Sequence, residues 1–481
     1  MDTQRLSGKS KLSYALGAVG KDMVYMLSAS YVLYYFQDLL GVEAWIMGVI
    51  LLAARVFDAF NDPIMGVVVA KTRTRWGKFR PWLLVGTITN AVVLYFMFAA
   101  PPAMDAKGLV AYAAIFYILW GVTYTMMDIP YWSMIPAFTR GGKERENLTT
   151  IARTAAGVGA AIITIVTMKL VPMLGAAFAG ENAGAKLIEV VGFKYFAAIV
   201  GVLFIVFITL TCLNVREKST AEMKTVSVGQ MFKALVQNDQ AMTVTIAIVL
   251  VNTAVYITSN LVIYFFKYDF GTTGWNDAYV LFNMFGGAVQ VLAMMLFYPL
   301  LRKKFSSLQI FYICIGMAVV GYGVLLGLAF TSMSSVFLLF IPGFCIFAAN
   351  GMLTVITTVF LANTVDYGEL KNHRRDESVI FSMQTFVVKL ASGIAALAAS
   401  ICLSINNLQS GTEVSEADAV TDFSVGVSAA AKTGLRMTMT IIPIIGLIIA
   451  FLWFKKKFIL TDQKVQEIAA EVKKQHEEEA K

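Results

Sequence analysis

At 481 residues the chain has the length of about three soluble domains, but 58% of it is apolar and only 15% is charged, too little charge to wet three soluble surfaces. That excludes a string of soluble domains and points to one polytopic membrane unit. The net charge of +8 is carried in short loops between apolar runs, a pattern of membrane orientation that excludes a nucleic-acid-binding face.

Residues 1–11 are polar, end in Lys9-Ser10-Lys11 and carry no cleavage site of signal-peptide type, so the first helix is expected to be retained. A helix needs about 20 mainly apolar residues to cross the hydrocarbon core. The hydropathy pattern predicts spans near 12–40, 43–70, 82–100, 108–136, 149–174 and 188–213. The segment 214–240 is polar, with Arg216, Glu217, Lys218 and Lys224, and six more spans follow near 241–266, 278–301, 308–328, 335–365, 378–406 and 432–455. The expected fold is an all-α membrane protein of twelve transmembrane helices. An amino-terminal six-helix bundle covers 1–213, a cytoplasmic middle loop 214–240, a carboxy-terminal six-helix bundle 241–458 and a charged cytoplasmic tail, predicted to be a short surface helix, 459–481.

Lys and Arg concentrate in alternate loops: Lys71, Arg73, Arg75, Lys78 and Arg80; Arg140, Lys143 and Arg145; Arg216, Lys218, Lys224 and Lys233; Arg302, Lys303 and Lys304; Lys371, Arg374 and Arg375. The other loops hold Lys107, Lys186 and Lys267, and the acidic loop 407–431 has none. The positive-inside rule then places both termini in the cytoplasm, in a bacterial-type inner membrane. A monomer surrounded by lipid is the default expectation. With only two histidines, His373 and His476, imidazole metal sites and Ser–His or Cys–His catalysis are nearly excluded. Cys212, Cys314, Cys345 and Cys402 lie in apolar runs without a CxxC pair and read as buried hydrophobes.

The informative residues are ionisable groups inside the spans, each of which costs at least ~2.5–3.5 kcal/mol at the helix centre and so faces a cavity or a partner. Span one holds Lys21 and Asp22, span two Arg55, Asp58 and Asp62, span four Asp128, span five Arg153 and span eleven Lys389. Asp58 and Asp62 share one helix face at i, i+4. Two carboxylates that close in a low dielectric do not both ionise without compensation. One takes a proton, or a small alkali cation sits between them with Asn61, Thr125 or backbone carbonyls completing a shell of hard oxygens, or both pair with Arg55, Arg153 or Lys389. In span four, Thr125, Asp128 and Trp132 share a face. A carboxylate beside an indole suits a sugar, which donates hydroxyl hydrogen bonds and stacks its C–H face, although Trp132 alone serves packing equally well. Arg153 can fork to Asp128, to Asp22 or to the sugar, or act as a buried counter-ion. Pro130 is expected to loosen the helix locally and free backbone carbonyls.

Several long motifs carry a resemblance. Gly20-Lys21-Asp22, Ala54-Arg55-Val56-Phe57-Asp58-Ala59-Phe60-Asn61-Asp62-Pro63-Ile64-Met65-Gly66, Arg75-Trp76-Gly77-Lys78-Phe79-Arg80-Pro81-Trp82, Tyr124-Thr125-Met126-Met127-Asp128-Ile129-Pro130-Tyr131-Trp132-Ser133 and Asp366-Tyr367-Gly368-Glu369 resemble the glycoside–pentoside–hexuronide:cation symporters of the major facilitator superfamily, over nearly the whole chain. The resemblance implies two six-helix halves with a mid-membrane substrate site between them that is exposed alternately. It implies that Asp22 and Asp128 bind sugar with Lys21, Trp132 and Arg153 beside them, that Asp58, Asp62 and Thr125 form a site for sodium, lithium or a proton, and that Lys389 lies near both. Tyr124, Gln384 and Thr385 are further candidates. The chain departs from the family's melibiose carriers at Thr354, which stands for a tryptophan, at Asn363, which stands for an aspartate, and at Ala29, which stands for a tyrosine.

The expected activity is symport of a sugar or glycoside with Na+ or H+, with no cofactor beyond the coupling ion. The loop 73–80 and the segment 369–377 are expected to serve as cytoplasmic charge locks, or as orientation signals only. A lysolipid or hexuronide symporter of the same fold is an alternative. A polytopic membrane enzyme is disfavoured by the lack of intramembrane histidine, zinc-ligand spacing and nucleophile elbow. A passive channel has no use for two charged clusters.

Overall fold

The computed structural model describes residues 6–138, 142–180, 183–217, 228–270, 275–331, 335–372, 377–408, 423–424 and 426–479. Arg140, Lys218, Lys224, His373, Arg374, Arg375, Asp376 and the acidic loop over 409–422, all of which carry expectations from the sequence, lie outside the described residues. Among the described residues every regular element is helical.

The chain divides into two compact units, Met1–Thr225 with Leu408–Thr421 and Val226–Asn407 with Asp422–Lys481. The first holds α1 (Gly8–Leu33), α2 (Ala44–Lys71), α3 (Arg80–Met97), α4 (Ala106–Ser133), the single turn α5 (Ile135–Phe138), α6 (Gly142–Phe178) and α7 (Ala185–Asn214). The second holds α8 (Val228–Gln237), α9 (Asp239–Phe265), α10 (Trp275–Leu292), α11 (Tyr298–Arg302), α12 (Ser307–Thr331), α13 (Val336–Asn372), α14 (Glu377–Ile405), α15 (Ala429–Lys457) and α16 (Asp462–Glu479). Among the described residues, ten helical segments are long and apolar enough to cross a membrane. α1 and α3 are not among the ten, because charge dilutes them: α1 carries Lys9, Lys11, Lys21 and Asp22, and α3, only 18 residues long, opens on Arg80-Pro81-Trp82.

In the first unit α1 packs along α6 and α7, α3 along α4 and α7, and α2 along α4. A reciprocal pin fixes α1 to α4. Tyr14 Oη donates to the Tyr131 carbonyl and Tyr131 Oη to the Tyr14 carbonyl, both at 2.5 Å, while the two rings stack 4.4 Å apart. α3 is tied to α4 by Asn90, whose Nδ2 donates to the Trp120 carbonyl at 3.0 Å and to Thr123 Oγ1 at 2.9 Å. α1 runs on into a π-helical stretch, Tyr34–Leu39, in which Gln37 Nε2 donates to the Leu408 carbonyl at 3.0 Å.

In the second unit α9 packs against α14 and α15, and α12 and α10 against α13. A π-helical stretch, Phe266–Phe270, continues α9, and Asp269 within it accepts from Arg436 Nε and Nη2 at 2.6 Å each. The predicted surface helix near the end of the chain is α16. Its first residue, Asp462, accepts from Arg302 Nη1 at 2.8 Å and from the Ser307 backbone at 3.3 Å, while Ile468 and Val472 are buried. Partial burial raises the Asp462 pKa, but the bonds from Ser307 and Arg302 outweigh it and hold the carboxyl below its ordinary value.

Candidate functional site

Four helices of the first unit, α1, α2, α4 and α6, supply every amino-terminal candidate. Lys21 is the centre of one cluster. Its ammonium lies 2.9 Å from Asp22 Oδ2 on its own helix and 2.9 Å from Asp128 Oδ1 on α4. It also donates to Tyr124 Oη at 3.3 Å. The lysine side chain is 5% exposed, whereas those of Asp22 and Asp128 are 22% and 30% exposed. A buried ammonium thus underlies two carboxylates that still reach solvent. Trp132, one turn along α4, donates Nε1–H to Asp128 Oδ1 at 3.1 Å. Its ring lies 5.1 Å from the Lys21 ammonium and 4.1 Å from the Arg153 guanidinium.

Arg153 is exposed and covers the indole, and of its three expected partners two, Asp22 and Asp128, pair with Lys21, which leaves the sugar as the third. A compact ammonium at the crossing of α1 and α4 reaches both acids from one point. The longer guanidinium arrives from α6 and finds the weakly hydrated ring face, where cation–π attraction favours it.

The second cluster lies between α2 and α4. Thr125 Oγ1 donates to Asp62 Oδ1 at 3.0 Å. Asp58, one turn earlier, has its Oδ2 3.4 Å from Arg55 Nη1. The Arg55 guanidinium is buried and lies 5.9 Å from the Tyr25 and Tyr117 ring centroids. Asn61 lies between the two acids in sequence, and its Nδ2 is buried without a hydrogen-bond partner. The two carboxylates thus have different neighbours, one a guanidinium and one a hydroxyl. Hard oxygens of Asp58, Asp62 and Thr125 are the donor chemistry that a small alkali ion or a proton takes.

The face shared by Thr125, Asp128 and Trp132 resolves into two directions, with Thr125 turned to Asp62 on α2 and Asp128 to Lys21 on α1. Tyr124 and Thr125 are adjacent residues, so one turn of α4 touches both clusters. Tyr25 makes a second link: its ring is 5.6 Å from that of Tyr124 and 5.9 Å from the Arg55 guanidinium. The sequence reading missed Tyr25, although it follows Lys21 by one helical turn and so shares its face. Pro130 lies inside α4, which continues to Ser133. In the second unit Lys389, Gln384 and Thr385 all lie on α14, where Gln384 Nε2 donates to Thr358 Oγ1 at 3.1 Å. Thr354 is exposed on α13, its hydroxyl donating to the Asn350 carbonyl at 2.9 Å.

The profile of a family described as MFS/sugar transport protein matches residues 13–459. A lactose permease of Lactobacillus delbrueckii subsp. bulgaricus is 27% identical over 478 residues, covering 97% of this chain and 72% of the permease. A raffinose carrier protein of Pediococcus pentosaceus is 27% identical over 483 residues, covering 96% of this chain and 71% of the carrier. Among solved structures, a bacterial homologue of the human lysosomal transporter Spinster, inward-facing and unoccupied, aligns with a TM-score of 0.68 at 14% identity, covering 96% of this chain and 97% of that one.

Proposed function

Because the chain belongs to the MFS/sugar transport protein family, and within it to the glycoside–pentoside–hexuronide:cation symporters, we propose that it carries a small sugar or glycoside across the membrane together with a monovalent cation. The observation that carries this reading is the contact of one α4 turn with two different charged clusters, through Tyr124 to Lys21 and through Thr125 to Asp62. In it, Asp22 and Asp128 accept sugar hydroxyls, Lys21 sets their positions, and Trp132 and Arg153 frame the ring. Asp58, Asp62 and Thr125, with Asn61 beside them, take Na+, Li+ or H+ as co-substrate. The names of the relatives, a lactose permease and a raffinose carrier, favour a galactoside-type substrate. Twelve spans complete the reading once α1 and α3 are counted, because both pack along membrane-crossing helices. Both termini then lie on the cytoplasmic side of a bacterial inner membrane, and transport proceeds by alternating access.

Uptake of labelled galactosides, xylosides, glucosides and glucuronides into proteoliposomes, with and without an imposed sodium gradient, tests the proposal. Asp62→Cys is expected to abolish sodium stimulation while sugar binding persists. Asp128→Asn is expected to abolish sugar binding in a folded protein. Uptake of no sugar under any ion gradient, or normal sugar affinity in Asp128→Asn, overturns the reading.

A further inference from the structure

The loop between α2 and α3 is more elaborately built than an orientation signal requires. Glu217, just past α7, folds back onto it, and its carboxylate accepts from the backbone N–H groups of Lys78 at 2.7 Å, Phe79 at 3.0 Å and Arg80 at 3.3 Å. Gly77 stands at φ +106°, and a Cβ there would overlap that carboxylate. Thr74 Oγ1 donates to the Gly77 carbonyl at 2.7 Å and accepts from Trp76 N at 3.2 Å. Arg80 Nη2 donates to the Val215 carbonyl at 2.6 Å, and Trp82 Nε1 to Thr72 Oγ1 at 2.7 Å. Glu217, Arg80 and Trp82 are thereby committed to the shape of the loop.

That shape leaves Trp76 64% exposed, directly after Arg75 and three residues past Arg73. Lys71, Arg73 and Arg75 are exposed and make no ion pair among the described residues. Exposed apolar side chains run up to the loop from both sides, Ile64, Val67 and Val68 on α2 and Val85 and Ile88 on α3. An indole at the edge of an apolar helix surface prefers the headgroup boundary of a bilayer, and bases beside it attract anionic lipids.

We propose that the loop 71–80 is a binding site for the headgroups of anionic phospholipids in the cytoplasmic leaflet. Arg73 and Arg75 pair with the phosphodiester, Trp76 lies at the glycerol level, and the acyl chains follow Ile64, Val67 and Val85. The site is independent of the sugar and cation assignments.

Bromine-labelled lipids test it on the full chain in vesicles. The emission lost in Trp76→Phe isolates Trp76 among the seven tryptophans. At equal mole fraction, brominated phosphatidylglycerol is expected to quench that emission several-fold more than brominated phosphatidylcholine. Arg73→Gln with Arg75→Gln is expected to bring the two lipids to equality while quenching by phosphatidylcholine, which reports the folded loop, stays as it was. Equal quenching in the unaltered chain overturns the proposal, as does a preference that survives the double substitution. Loss of the preference in millimolar inorganic phosphate, at matched ionic strength, assigns the bases to free anions and overturns the lipid site.

Discussion

Gly121 lies on α4 where any side chain would meet Asp58: a Cβ built there overlaps Oδ1. The carboxylate is the end of a side chain and can rotate away, so Gly121→Ala is expected to leave the fold intact and move Asp58 instead. Overpacking of this kind costs about 1–3 kcal/mol. The half-saturating sodium concentration for uptake is therefore expected to rise roughly tenfold, with sugar affinity at saturating sodium little changed. An unchanged sodium titration would place the ion away from Asp58. Lys21 makes the opposite case, a side chain whose removal leaves charges behind. Lys21→Gln strands Asp22 and Asp128 with no ammonium between them. Breaking a fully buried pair from one side costs about 3–5 kcal/mol, and the cost is smaller here because Asp22 and Asp128 are 22% and 30% exposed. Sugar binding is expected to vanish and the thermal midpoint to fall, and Lys21→Arg is not expected to rescue either, because a planar guanidinium holds its donors in a fixed fork and is bulkier than the compact ammonium it would replace in a buried site. Sugar affinity preserved in Lys21→Gln, measured by calorimetry, would remove Lys21 from the site.

Helices were the most legible level of the sequence. The predicted spans near 43–70 and 188–213 are α2 (Ala44–Lys71) and α7 (Ala185–Asn214), because basic or polar loops bound their apolar runs. The π-helical stretches Tyr34–Leu39 and Phe266–Phe270 were not legible, since hydropathy is the same whether an amide reaches back four residues or five. The acids were conspicuous because charge in an apolar run is rare. Tyr25 and the Tyr14–Tyr131 pin were not, because one more tyrosine among 19 carries no compositional signal. At this level α1 is expected to link the clusters through Tyr25, and Tyr25→Ala is expected to weaken the effect of sodium on sugar affinity more than it weakens either affinity alone. Equal losses in both affinities would make Tyr25 a packing residue. α16 gives a pH prediction. The folded pKa of Asp462 is lowered, so its contribution is complete above the ordinary value of about 3.9 and is lost as pH falls through the lower folded value. Acidification below about pH 4 is expected to release α16 to proteolysis, and Asp462→Asn to release it already at neutral pH. Equal cleavage of the two forms at pH 7 would show that Ile468 and Val472 alone hold the helix.

For the whole molecule the controlling quantity is charge. The two clusters of the first unit contain the acids Asp22, Asp58, Asp62 and Asp128 and the bases Lys21, Arg55 and Arg153, a formal excess of one negative charge among these seven residues. A neutral sugar cannot cancel it, and a single monovalent cation can. On the proposed symport reading, sugar and cation are expected to favour each other's binding, and thermodynamic linkage requires the two enhancements to be equal, typically 5–150-fold. On the proposed symport reading, the same arithmetic predicts one cation and one net positive charge moved per sugar. At a membrane potential of 100 mV, negative inside, one charge is worth about 2.3 kcal/mol, enough for roughly fiftyfold accumulation of sugar without any sodium gradient. Vesicles clamped by a potassium diffusion potential, with sodium equal on both sides, measure this as the steady-state sugar ratio. A ratio near one would mean electroneutral exchange, and a ratio near the square of the expected value would mean two cations. Either result would show that residues beyond these seven set the charge that moves with the sugar.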